Sequence, residues 1–132
     1  MVLPVVRPKT ILVVDDEPGI VRALEYFLQR DGHTVETAAN GCLALAKCQD
    51  QDYDLILCDL RMPALDGPGL YQELQRHHPH LCARMVFLTG DTLSSAVQAF
   101  LEDAGVPRLT KPFNAAMVRQ VIQSLCTDAG VG

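Results

Sequence analysis

The chain has 132 residues, 48% of them hydrophobic, and a formal net charge of −5 from 16 acidic and 11 basic residues. That length suits one domain with a buried core and leaves no room for a second. Acidic and basic residues are interspersed, which argues against a general grip on nucleic acid or on a membrane surface, since either needs a basic patch.

No apolar stretch approaches the roughly 20 residues that cross a bilayer. The opening "MVLPVVRPKT" lacks a signal-peptide core and a cleavage site, so a cytoplasmic location is expected. Cys42, Cys48, Cys58, Cys82 and Cys126 are an odd number at scattered spacings with no C-x-x-C pair. They read as reduced thiols rather than a disulfide framework.

Val2 to Pro8, with two prolines and no periodicity, reads as a linker or disordered leader. "TILVV" from Thr10 is the first strand, and the helix after Pro18 sets Ile20, Leu24, Phe27 and Leu28 on one face before Gly32 stops it. "HTVETAA" alternates like a second strand. Asn40 can cap a helix carrying Leu43, Ala44 and Cys48, and "DLILC" is apolar on both faces, as a central parallel strand must be. A helix from Pro68 ends near His77, and "ARMVFLTG" is the fourth strand. Leu93 to Leu101 forms the next helix with Thr92 as its cap, "VPRLT" is a short fifth strand, and Asn114 opens a last helix buried through Val118, Val121, Ile122 and Leu125.

Five strands alternating with five helices predict an α/β fold, a doubly wound parallel sheet with right-handed crossovers. Ligands gather at the carboxyl ends of strands in such a sheet. The residues there are Asp15 and Asp16 after the first strand, Asp59 after the third, Thr89 after the fourth and Lys111 after the fifth. In a flavodoxin-like order, 2-1-3-4-5, they converge on one crevice. Each taken alone is an ordinary polar residue where a strand meets a loop. Together, three carboxylates repel one another unless a lysine or a hard cation such as Mg²⁺ or Mn²⁺ offsets them.

"ILVVDDEP", "LILCDLRMPALDG", "VFLTGD" and "LTKPF", in that order and spacing, resemble the receiver domain of two-component response regulators. The resemblance covers nearly the whole chain after Lys9. It implies a receiver over residues 9–127, between a leader at 1–8 and a tail at 128–132. It also implies that Asp59 accepts a phosphoryl group from a histidine kinase or a histidine phosphotransfer domain. A carboxylate of reference pKa ~3.9 is ionised at neutral pH and can attack phosphorus.

By the same resemblance, Asp16, Asp59 and the backbone carbonyl of Arg61 bind Mg²⁺, with Asp15 acting nearby or through water. Lys111 pairs with the phosphoryl group, the Thr89 hydroxyl bonds to it afterwards, and Gly90 keeps the approach open. The Lys111-Pro112 bond is expected to be cis. Phosphorylation then draws Thr89 inward and alters the face made by the fourth helix, fifth strand and last helix, where a downstream protein binds. The implied domain is no turnover enzyme, though it promotes its own phosphorylation and dephosphorylation. No direct contact with nucleic acid or membrane is expected, and a weak dimer is left open.

One position departs from the pattern, and a few weaker signals accompany it. The switch residue three before the lysine is usually aromatic, and here it is Arg108. Arg61 and Asp91 could pair across the mouth of the site and limit water, although a solvated surface pair is the plainer reading. "RHHPH" gathers His77, His78 and His80 at a helix end, where basic residues are favoured without any metal. Cys58, and Cys42 or Cys48, read as small buried hydrophobes. Two other functions are alternatives: a Mg²⁺-dependent phosphatase with an aspartyl nucleophile, which normally needs an acid where Arg61 stands, and a docking module indifferent to phosphate. The later part of the sequence looks most like receivers at the C-terminus of hybrid sensor kinases, with a free-standing regulator as the alternative.

Overall fold

The computed structural model of the chain describes residues 7–90 and 93–126. In chain order the elements are β1 (Thr10–Val14), α1 (Pro18–Arg30), β2 (Thr34–Ala38), α2 (Gly41–Asp50), β3 (Leu55–Asp59), α3 (Gly67–His77), α4 (Pro79–Cys82), β4 (Met85–Thr89), α5 (Ser95–Ala104), β5 (Arg108–Thr110) and α6 (Ala115–Cys126). Every strand pairing is parallel, and the sheet order is β2-β1-β3-β4-β5. The doubly wound sheet expected from the sequence is therefore present, with its switch point between β1 and β3. Among the described residues no helix is long and apolar enough to cross a membrane.

Side chains alternate across the strands, so each buried strand feeds two cores. Ile11, Val13, Leu55, Leu57, Val86 and Leu88 pack on one side with Leu24 and Leu28 of α1 and Val118 and Ile122 of α6. Leu12, Val14, Ile56, Cys58, Met85 and Phe87 pack on the other with Ala44, Leu70, Leu74 and Leu101. β3 and β4 are buried at all five positions, whereas β2 and β5 are partly exposed edges.

Caps fix where the helices begin. Asn40 accepts from the Leu43 N–H at 2.9 Å and Asn114 from the Met117 N–H at 2.9 Å. Asp66 does the same for Gly69 at 2.8 Å, so α3 starts one residue before Pro68. α5 begins at Ser95, and the Ser94 hydroxyl accepts from the Val97 N–H at 3.2 Å. Ser94, not the expected Thr92, fills the capping position, and Thr92 itself lies outside the described residues. Gly105, at φ 64°, ends α5 in the left-handed conformation that glycine adopts without a Cβ clash.

Several expectations change. Pro79, read only as a stop, also opens the one-turn helix α4, because proline suits a first helical position. Strand β5 starts at Arg108, after Pro107, which has no N–H to give to a ladder. In α2 the inward residues are Gly41, Ala44 and Cys48, which leaves Cys42 and Leu43 exposed. Leu125, in the last turn of α6, is exposed as well.

The loop after β3 is tightly built. The Leu65 N–H donates to the Pro63 carbonyl at 2.8 Å around Ala64 at φ 67°, a γ-turn. The Gly41 N–H holds the Leu65 carbonyl at 3.0 Å, and the Gly67 N–H holds the Leu60 carbonyl at 3.1 Å. A Cβ on Gly67 would lie 2.6 Å from the Asp59 carbonyl oxygen and 2.9 Å from the Phe87 ring. Gly67→Ala is expected to lose about 1–3 kcal/mol in a denaturant titration, because backbone must move to admit the methyl group. Gly19→Ala, with nothing within 4 Å of the new atom, is expected to be neutral or to gain up to about 1 kcal/mol.

Candidate functional site

Parallel strands end together, so the residues that close β1, β3, β4 and β5 share one edge of the sheet. A crevice of about 410 Å³ opens there, walled by Asp16, Glu17, Asp59, Arg61, Gly90 and Lys111 among others. Asp59 is the last residue of β3 and only 8% exposed, and Asp15 follows β1 at 2%. The Lys111 N–H donates to the Thr89 carbonyl at 2.7 Å, which seats the lysine against the end of β4. Its peptide bond to Pro112 is cis.

The Lys111 ammonium lies between three carboxylates: 3.5 Å from Asp15 Oδ2, 3.5 Å from Asp59 Oδ1 and 3.7 Å from Glu17 Oε1. Backbone amides orient the aspartates. Asp15 Oδ1 accepts from the Glu17 N–H at 2.9 Å, and Asp59 Oδ1 accepts from the Leu60 N–H at 2.8 Å. Asp15 Oδ2 is buried and makes no hydrogen bond within the structure. Such an atom is costly unless a charge meets it.

Burial dominates the electrostatics. It raises the pKa of Asp59 above the ordinary value, against the opposing pull of Lys111 and the Leu60 and Arg61 amides. It raises that of Asp15 too; the Glu17 amide opposes this and the Asp59 charge adds to it. Burial alone would lower the Lys111 pKa, but the charges of Asp59, Asp15 and Glu17 outweigh it, and the net shift is upward. One ammonium leaves the pocket short of positive charge. The carboxylate oxygens of Asp15, Glu17 and Asp59 lie within 4.8 Å of one another, a hard-oxygen set that suits a cation such as Mg²⁺.

The family resemblance implies Asp16, Asp59 and the Arg61 carbonyl as metal ligands, with Asp15 nearby or through water. Here Asp16 is exposed on the crevice wall and Arg61 is exposed beside it, while Glu17 joins the acidic cluster. Glu17 was not singled out; the run "DDE" was the available signal. Thr89 is 2% exposed and sits behind Gly90 in sequence, next to the crevice. Arg108 is not brought to the site. It is exposed on β5 and lines a separate groove with Met117 and Val121 of α6. Asp91, the suggested partner of Arg61, lies outside the described residues. The histidines belong to the opposite edge: His77 pairs with Glu73 at 3.6 Å and His80 with Asp52 at 3.1 Å.

Because the folded-state pKa of Asp59 is raised, its ionisation costs stability. The favourable contribution is complete below the unfolded value and is lost as pH rises through the folded value. Asp59→Asn is therefore expected to melt higher than wild type at pH 7 without divalent cation. A gain on the order of 1 kcal/mol corresponds to roughly 3–6 °C for this size of domain. The advantage should shrink as pH falls toward ~4, and thermal melts across that range check it.

Residues 11–123 match the family described as the response regulator receiver domain. The chain is 51% identical over 121 residues to the transcriptional regulatory protein ResD of Bacillus subtilis, covering 90% of this chain and 48% of ResD. It is 30% identical over 118 residues to the sensor kinase CckA of Brucella abortus, covering 88% of this chain and 12% of CckA. It thus spans about half or less of the length of these curated relatives. Among solved structures, the chemotaxis response regulator CheY4 of Vibrio cholerae superposes with a TM-score of 0.79 at 30% identity, over 90% of this chain and 99% of CheY4. With its fold, its matched span and its clustered strand-end residues, the chain belongs to the response regulator receiver domain family of two-component signalling.

Proposed function

We propose that the domain takes a phosphoryl group from a phosphohistidine donor onto Asp59 and relays the charge change to a protein partner. The observation that carries this reading is the pairing of a nearly buried carboxylate at the end of β3 with an ammonium 3.5 Å away, in a crevice open to solvent. A carboxylate oxygen of Asp59 attacks phosphorus, the bond from phosphorus to the donor nitrogen breaks, and an acyl phosphate forms. The Lys111 ammonium draws the transferring group into line and offsets charge on its oxygens. Asp16, Asp59 and the Arg61 carbonyl would hold a bound Mg²⁺, with Asp15 nearby or through water, and the ion would supply positive charge against the phosphoryl oxygens.

Water attacking the same phosphorus returns Asp59 to the carboxylate, so the domain sets its own phosphate lifetime while a separate kinase or phosphotransfer domain supplies the group. Acyl phosphate adds roughly −1.5 to −2 charges with new acceptor oxygens beside Thr89 and Lys111. The Lys111 backbone already ties β5 to the end of β4, so a shift of Thr89 has a direct route to the face of α5, β5 and α6. Arg108 on that face reads the change by charge instead of by an aromatic ring. Buried reduced thiols at Cys48, Cys58 and Cys82 fit a cytoplasmic setting. The likenesses to a sensor kinase and to a transcriptional regulatory protein are compatible with a parent chain of either kind.

Incubation with Mg²⁺ and acetyl phosphate, read by intact mass, is expected to add one phosphoryl group to wild type and none to Asp59→Asn. Lys111→Ala should slow labelling by roughly 10²-fold, the usual scale for removing an electrostatic stabiliser. Equal labelling of Asp59→Asn would contradict the assignment.

A further inference from the structure

Of the three carboxylates around Lys111, Asp15 and Asp59 are buried and fixed by backbone amides. Glu17 differs. Its backbone is pinned, with its N–H on Asp15 Oδ1 at 2.9 Å and its carbonyl accepting from the Val21 N–H at 3.1 Å. Yet its side chain is 63% exposed and makes no capping bond at the start of α1, although it holds the capping position there. Instead it turns to Lys111.

None of the three separations, 3.5, 3.5 and 3.7 Å, reaches the roughly 2.7–3.2 Å of a formed N–H···O bond. The ammonium is therefore shared among three carboxylates, slightly nearer to the two buried aspartates than to Glu17. The two buried acceptors cannot retreat, so the exposed one alone can yield. Glu17 also lines the mouth through which an anionic donor enters.

We propose that Glu17 is a positioning residue that holds Lys111 toward the mouth in the resting state and competes with the incoming phosphoryl group for it. The inference rests on Asp59 being the acceptor. Neutralising Glu17 frees Lys111 for the donor and removes one repulsive charge from its path. The consequence is faster labelling by a small anionic phosphodonor, most marked at low ionic strength, where charges at the mouth are least screened.

The test compares wild type, Glu17→Gln and Glu102→Gln, an exposed glutamate on α5, with acetyl phosphate at saturating Mg²⁺. Glu17→Gln is expected to label about three- to tenfold faster at ~20 mM ionic strength and to approach the wild-type rate at ~0.5 M. Glu102→Gln should follow wild type at both. Without donor, the NMR shifts of the Lys111 side chain should move in Glu17→Gln only. Equal rates at low salt with unmoved Lys111 signals overturn the proposal and leave Asp59 as acceptor. A slower Glu17→Gln at saturating Mg²⁺ also overturns it, since that marks Glu17 as a metal ligand. Wild type that gains no phosphate overturns the acceptor reading itself.

Discussion

Two aspartates held side by side at the end of buried strands, with one lysine between them, constrain everything else in this domain. Asp15 and Asp59 arrive together because β1 and β3 are neighbours in register, with Val14 opposite Cys58. Each side chain is held by a loop amide, Asp15 by that of Glu17 and Asp59 by that of Leu60. The resulting repulsion and desolvation work against folding. Two apolar layers, continuous from Leu24 to Ile122 on one side and from Ala44 to Leu101 on the other, offset that cost.

The loop from Leu60 to Asp66 serves the same constraint from outside. Its γ-turn at Ala64 and its bonds to Gly41 and Gly67 carry the chain away from Asp59 without covering it. Gly67 lets α3 start against the Asp59 carbonyl, and the Phe87 ring closes the space behind. The same ring packs on Phe100 at 5.7 Å, which in turn meets Tyr71 at 5.4 Å. Packing behind the acceptor is thus continuous with α3 and α5, so the crevice has a firm floor and an open mouth.

Much of this was legible in the sequence because parallel strands write their positions plainly. Runs such as "LILCD" are apolar on both faces, and their last polar residue marks the functional edge, which located Asp15, Asp59, Thr89 and Lys111. Asn40 and Asn114 were readable as caps for the same local reason. What escaped depends on direction in space. Glu17 follows two aspartates, but nothing local says that its side chain leaves the helix start for Lys111, just past the end of β5 and far along the chain. Leu43 has the composition of a core residue, yet the stripe Gly41, Ala44, Cys48 faces inward and turns it to solvent. Ser94 and Thr92 are both good caps, and where the backbone became helical chose between them.

A crevice short of positive charge at Asp15 and Asp59 is expected to take up a divalent cation. Calorimetric titration of Mg²⁺ into wild type and Asp59→Asn at pH 7 tests it most directly. One bound Mg²⁺ per wild-type chain, weakened about tenfold or more by the substitution and progressively by lower pH, is the expected result. Equal affinity in the two proteins, or no binding to wild type, would contradict it.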